Sequence, residues 1–259
     1  MSSTDETEIR IERHAHVAVV EVNRPPLNFF DLELIRNLLG ACQELEADPE
    51  CRAIVLAASG KVFCAGADFG TGVDPKMAIE AARILYSDAA GLFDLNIPIV
   101  AAIQGPAIGG GLGLALVADF RIAGDKAVFS ANFAQLGLHC GFGISVSLPR
   151  VIGQNPAAEL LMTGRRISAA DAHAIGLADR LVAQNDLRNE ALALASEIAE
   201  AAPLAVCDMR RTLRKGLADS VRSALEHELA IQARHMRTQD FKEGIRAASE
   251  RRTPVFTGT

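Results

Sequence analysis

The 259 residues are 49% apolar, 22% charged and 5% aromatic, the balance of a folded globular chain and not of a disordered one. Against 32 acidic residues stand 26 basic ones, and the formal charge of -6 leaves no positive footprint with which to displace counterions from nucleic acid. The polar opening MSSTDETEIR has the layout of neither a signal nor a transit peptide, and the apolar stretches near 97–103 and 106–118 each fall short of the roughly 20 residues of a membrane span. The expectation is a cytoplasmic protein without membrane or nucleic-acid partners. The five cysteines, Cys42, Cys51, Cys64, Cys140 and Cys207, are scattered without metal-ligand spacing and read as reduced thiols.

Residues 8–23 alternate in type on either side of a polar break, which predicts a two-stranded hairpin. After Arg24-Pro25-Pro26, Asp31 is placed to cap a helix carrying Leu34, Leu38, Cys42 and Leu45 at helical spacing, ended by Asp48-Pro49. AIVLAA at 53–58 reads as a buried strand. A glycine-punctuated loop follows, then a helix from about Pro75 to Leu92 and a second buried strand at 97–103. QGPAIGGGLGLALVADFRIAG predicts a glycine turn, a short apolar helix and a strand beginning near Asp119. Parallel strands joined by crossovers, with glycines where strand meets helix, predict an α/β core with its site at those turns. Beyond Pro149 only 178–182 reads as a strand, and helical patterns dominate 187–249, with Pro203 opening a helix. Leu213, Leu217, Val221, Leu225 and Leu229 form an apolar stripe that must wrap the chain's own core or meet another subunit.

The Gly109-Gly110-Gly111 run invites a phosphate-site reading but fails both templates. Leu114 stands where GxGxxG needs its last glycine, and Gly60-Lys61 is followed by Val62 where the Walker pattern needs Ser or Thr. What remains is a helix N-terminus whose free N–H groups are approachable because glycines do not obstruct them. The turn Ala65-Gly66-Ala67-Asp68 offers a second donor of the same kind. Two converging amides stabilise charge developing on a carbonyl oxygen, although either glycine turn could equally serve only close helix–strand packing.

NRPPLNFFD at 23–31, KVFCAGAD at 61–68, IPIVAAIQGPAIGGGLGLALVADFRIA at 97–123 and LGLHCGFGISVSLPRVIG at 136–153 resemble successive signatures of the crotonase superfamily, the enoyl-CoA hydratase/isomerase family. TGRRISAADAHAIGLADRLV at 163–182 and EGIRAASERRTPVFTG at 243–258 continue the resemblance in order. It implies an α/β fold of the ClpP/crotonase type, with a ββα spiral acyl-CoA-binding core over 1–190 and a helical C-terminal trimerisation region over 191–259. Trimers or hexamers would act on acyl-CoA, with no cofactor beyond the coenzyme A of the substrate. Carried over by position, the backbone N–H groups of Ala67 and Gly110 form the oxyanion hole. Arg24, Phe63, Ala65 and Asp68 line the CoA pocket, joined by Gly109, Gly113, Phe133 and Gly141 around the acyl group. Arg251 or Arg252 matches the basic residue that reaches CoA phosphates.

One departure bears on the reaction. The family's hydratases carry glutamates at the positions held here by Gly113 and Phe133, neither of which can move a proton. His139, in a position ordinarily apolar, is a candidate acid or base, or else caps its turn beside Phe142. Asp74, Tyr86 and Asp94 lie on or near the helix that walls the acyl pocket in this family, Cys140 reads as packing, and Asp68 reads as fixing its own loop. His14, His16, His173, His227 and His235 read as surface or packing residues, and Arg210, Arg211, Arg214 and Lys215 as a solvated face or subunit salt bridge. The expectation is an enolate-stabilising acyl-CoA enzyme. Its alternatives are a double-bond isomerase or hydrolase centred on His139, or a CoA-binding paralogue without chemistry.

Overall fold

The structure, a computed structural model, describes residues 8–67 and 75–259, with side chains for all of these but 75–78. Strands β1 (Ile9–His14) and β2 (Val17–Val22) form the predicted antiparallel hairpin, pairing Ile9 with Val22 through His14 with Val17. Helix α1 (Leu32–Ala47) begins where expected, with Asp31 Oδ1 accepting from Leu34 N at 2.9 Å. Strand β3 (Ala53–Ala58), helix α2 (Pro75–Asp94), strand β4 (Ile99–Ile103), strand β5 (Pro106–Ile108) and helix α3 (Gly110–Val117) follow. Strands β6 (Phe120–Gly124) and β7 (Val128–Ser130) lead through a 3-10 turn at Asn132–Leu136 to helices α4 (Ile144–Ile152) and α5 (Gln154–Thr163). Strand β8 (Ile167–Ser168), helix α6 (Ala169–Ala174) and strand β9 (Arg180–Val182) complete the spiral. The chain then runs through α7 (Leu187–Glu200), α8 (Pro203–Leu213), α9 (Leu217–His235) and α10 (Gln239–Ser249).

Six strands form the main sheet in the order β1-β2-β3-β4-β6-β9, parallel from β2 onward, and β5, β7 and β8 form a smaller second sheet. The short strands β5, β7 and β8 carried no readable alternation, which is why the second sheet went unpredicted. Both faces of the main sheet are covered, and this explains the uninterrupted apolar run of β3. Ile54, Leu56 and Ala58 face the large core with α1 and α2, while Ala53, Val55 and Ala57 face Leu187, Ala191, Ala195 and Ala199 of α7. The boundary expected at residue 190 therefore falls inside a helix that packs on the sheet.

The stripe from Leu213 to Leu229 is interrupted. Gly216 takes a left-handed φ of 76° and separates α8 from α9, so Leu213 is exposed while Leu217, Val221, Leu225 and Leu229 are buried in the chain itself, along the side of α9 that packs on α2 and α4. The basic cluster is divided, with Arg210 and Arg214 turned inward against the expectation of a solvated face and Arg211 and Lys215 left exposed. Arg210 Nε and Arg214 Nη1 donate to the two oxygens of Asp119 at 2.7 and 3.0 Å, and Arg211 pairs with Asp208. All five cysteines are free. Among the described residues no helix is long and apolar enough to cross a membrane.

Candidate active site

The first glycine turn is strung between two segments. Cys64 N donates to Pro106 O at 3.1 Å, Ile108 N donates to Cys64 O at 3.0 Å, Ala65 N donates to Leu27 O at 3.0 Å, and Phe30 N donates to Gly66 O at 2.9 Å. Gly66 N donates to Cys64 Sγ at 3.4 Å, and among the described residues the Ala67 N–H has no acceptor. Behind it, buried Asn28 fixes the preceding loop by accepting from Arg24 N and donating to Ser59 O and Val62 O. Sequence reading gave Asn28 no role, since a lone Asn in a loop carries no periodic signal.

The second turn ends β5. Gly109 N donates to Ser130 O at 2.8 Å, and Gly109 O accepts from Leu112 N and Gly113 N. Gly110 N and Gly111 N, in the first turn of α3, find no acceptor among the described residues, as expected at a helix N-terminus. The two turns abut. A Cβ on Gly66, whose φ is +93°, would stand 3.3 Å from Gly110 N, and one on Gly111 would stand 2.0 Å from Cys64 O. Only glycine permits this approach, which brings Ala67 and Gly110 to the wall of one cavity.

That cavity measures about 710 Å³ and has apolar walls. Phe29, Phe30, Phe133 and Phe142 contribute rings, and Met236 just after α9 with Ile245 and Ala248 of α10 close it. Phe30 and Phe142 meet at 5.3 Å between centroids, tilted by 56°. The polar side chains on the wall are Tyr86, Asn132, Gln232 and Ser249, and among the described lining residues none is charged. Such a surface suits an apolar group held by a few polar contacts.

The candidates from sequence fall unevenly around it. Ala65, Ala67, Gly109, Gly110 and Phe133 line the cavity. Gly113 lies beneath the Phe142 ring, and Gly141 lies behind Tyr86. Phe63 is buried in the core. Arg24 is occupied by Glu8 and Asp31, at 2.5 and 2.8 Å, and does not reach the cavity. Asp68 and Asp74 lie outside the described residues. Asp94 pairs with Arg222. Arg252 is held by Glu243 and Glu250, while Arg251 lines an adjoining groove with Arg166.

His139 does not line the cavity. Its Nδ1 stands 2.9 Å from its own neighbour's carbonyl, Cys140 O, and its N–H donates to His235 Nδ1 at 2.9 Å. His227 meets its ring edge-on at 6.2 Å, so two of the histidines read as surface or packing residues lie beside it. Under this group lies Glu228, fully buried, whose carboxylate accepts from Gly143 N, Ser145 N and Ser145 Oγ at 2.9, 3.1 and 2.6 Å. Burial pushes the Glu228 carboxyl up and the Cys140 thiol up to about 12, which leaves Cys140 a neutral packing group.

Two wall residues connect the cavity to this network. Tyr86 Oη donates to Gln232 Oε1 at 3.0 Å, and Gln232 Nε2 donates to His139 O at 2.9 Å. Sequence reading named Tyr86 but missed Gln232. The available signal was two polar residues, Glu228 and Gln232, four apart on the buried side of an otherwise apolar helical stripe.

A parallel spiral carrying two open amides at adjoining glycine turns, over an apolar cavity closed by C-terminal helices, is the architecture of a crotonase-type enzyme. Comparison with known proteins agrees. The sequence model of the enoyl-CoA hydratase/isomerase family matches residues 12–259. Enoyl-CoA hydratase domain-containing protein 2, mitochondrial, of Mus musculus is 36% identical over 253 residues, spanning 93% of this chain and 84% of that protein. Enoyl-CoA hydratase EchA19 of Mycobacterium tuberculosis is 33% identical over 252 residues, with 95% of each chain covered. The solved structure of an enoyl-CoA hydratase/isomerase from Pseudoalteromonas atlantica T6c superimposes with a TM-score of 0.85 at 30% identity, covering 97% of this chain and all of that one. The chain belongs to the enoyl-CoA hydratase/isomerase family of enzymes.

Proposed function

We propose that the chain processes coenzyme A thioesters, binding the thioester carbonyl oxygen between the amides of Ala67 and Gly110 and stabilising the enolate that forms. The observation carrying this reading is that these two amides lack acceptors among the described residues while their turns abut across Gly66. Each such donor contributes on the order of 3 kcal/mol to an oxyanion-like transition state. Hydration by a pair of carboxylates is not the reaction assigned, because those positions hold Gly113 and Phe133.

The test uses 4-(dimethylamino)cinnamoyl-CoA, whose absorption moves to longer wavelength when its carbonyl is polarised. A red shift on binding, lost in Gly110→Pro, is the expected result. Tight binding without any shift contradicts the oxyanion role. The same reading includes a cytoplasmic enzyme that needs no further cofactor and assembles as trimers or hexamers. Leu204, Met209 and Leu213 on α8, exposed by 82, 58 and 74%, support assembly, which light scattering would measure.

A further inference from the structure

A smaller cavity lies where β4 and β6 begin, at the end of the main sheet opposite to the one from which the chain enters the glycine turns. Arg210, Arg211, Arg214 and Lys215 line it, together with Ala218 and Asp219 in the first turn of α9. The Arg210 side chain is only 6% exposed; Asp119 takes its Nε and Leu95 O its Nη1, while Nη2 finds no acceptor among the described residues. Arg214 gives Nη1 to Asp119 and Nη2 to Val117 O and leaves Nε unpartnered. One carboxylate thus answers two inward guanidiniums. A buried donor or charge without a partner carries a desolvation cost, which an anion would remove. Burial holds the Arg214 guanidinium below its ordinary pKa despite Asp119, and Arg210 adds to the effect. Neighbouring acids do not supply the missing charge, since Asp94 and Asp219 both pair with Arg222, and Asp208 pairs with Arg211. The same wall includes the start of α9, a helix of 19 residues that follows Gly216 and has no side-chain cap. The N–H groups of Ala218 and Asp219 have no acceptor among the described residues, and such a helix start favours negative charge.

We propose that this cavity is a binding site for a phosphoryl group, held by the buried Arg210 and Arg214, by the exposed Arg211 and Lys215, and by the first amides of α9. Guanidinium forks and backbone amides match the oxygens of a tetrahedral dianion. The volume of about 270 Å³ falls below the roughly 300–1,000 Å³ of sites that enclose drug-sized molecules, so it takes one phosphoryl group and not a whole nucleotide. The site is separate from the cavity of the glycine turns and does not depend on the thioester reading.

The full chain is titrated by calorimetry with inorganic phosphate and, separately, with phenyl phosphate at constant ionic strength, and its thermal midpoint is followed in parallel. Saturable binding that raises the midpoint as the probe concentration rises is expected. Binding of both probes supports a phosphoryl group carried on a larger molecule, and binding of phosphate alone supports the free ion. Lys215→Gln changes an exposed residue, and Arg210→Lys keeps the charge facing Asp119 while removing Nη2. Each is expected to weaken binding on the order of tenfold. Arg165→Gln, which removes an exposed charge outside the cavity, should leave binding unchanged. The proposal is overturned if neither probe binds saturably, if Lys215→Gln and Arg210→Lys both bind as wild type does, or if Arg165→Gln weakens binding as much as they do.

Discussion

A Cβ placed on Gly113 would lie 2.6 Å from Cδ1 of Phe142, so the two residues share one volume. Phe142 is buried and takes a left-handed φ of 61°, uncommon for a bulky side chain. The ring and a glutamate at 113 are therefore mutually exclusive. Gly113→Glu alone is expected to lower the unfolding free energy by about 1–3 kcal/mol through overpacking, measured by urea denaturation. Adding Phe142→Ala should recover part of that loss, and a double-mutant cycle that comes out additive would contradict the shared volume.

Phe133 makes the cavity wall apolar where a carboxylate would have been wetted. Bulky or cyclic acyl groups should therefore bind better than short linear ones. Burying an added ring is worth about 1.5–3 kcal/mol, so cinnamoyl-CoA is expected to bind at least tenfold more tightly than crotonyl-CoA in calorimetric titration. Equal affinities, or a preference for crotonyl-CoA, would exclude this role for the ring.

Burial lifts the Glu228 carboxyl above its ordinary value of 4.5, outweighing the hydrogen bonds from Ser145 and Gly143. Between 4.5 and the raised folded value, the folded chain keeps a proton that the unfolded chain releases. This group's contribution to stability is fully present below the unfolded value and is lost as pH rises through the folded one. The decline is at most about 1.4 kcal/mol per pH unit. Glu228→Gln cannot titrate, so wild type should lose stability relative to the variant as pH rises above 4.5, until the folded-state carboxyl has ionised. A relative stability that rises with pH would reverse the assigned direction.

Asp119 holds Arg210 and Arg214 and also accepts from Ile99 N at 2.9 Å. Arg210 is buried, its side chain only 6% exposed, so removing its counter-charge strands a guanidinium out of water. Asp119→Ala is expected to cost about 3–5 kcal/mol, seen as a large drop in thermal midpoint. A shift within about 0.5 kcal/mol would mean solvent reaches the pair.

The order of strands and helices could be read from the sequence where a local rule was strong. Asp31 caps α1, Pro203 opens α8, and the AIVLAA run is buried on both sides. The glycine turns were legible as candidate amide sites because their spacing excluded nucleotide sites, but packing stayed an equal reading until the family resemblance singled out Ala67 and Gly110. Of the opposite wall only Tyr86 was named, through the resemblance. Tyr86, Gln232 and Met236 meet only after the chain has folded back over itself, and no local pattern records contacts between α2 and α9. His139 illustrates the converse, since its place in the glycine-rich segment suggested chemistry while its atoms are directed to its own turn and to His235.

The cavity takes its two glycine turns from the first half of the chain and its cover from α9 and α10, synthesised later. A nascent chain that has emerged only as far as α8 already carries Ala67 and Gly110 but leaves them open to bulk water. On the proposed reading, dry chemistry at these amides begins only after the last helices dock, and loss of this segment, by truncation or protease, would both open the cavity and expose the core that Leu217, Val221 and Leu225 help to close.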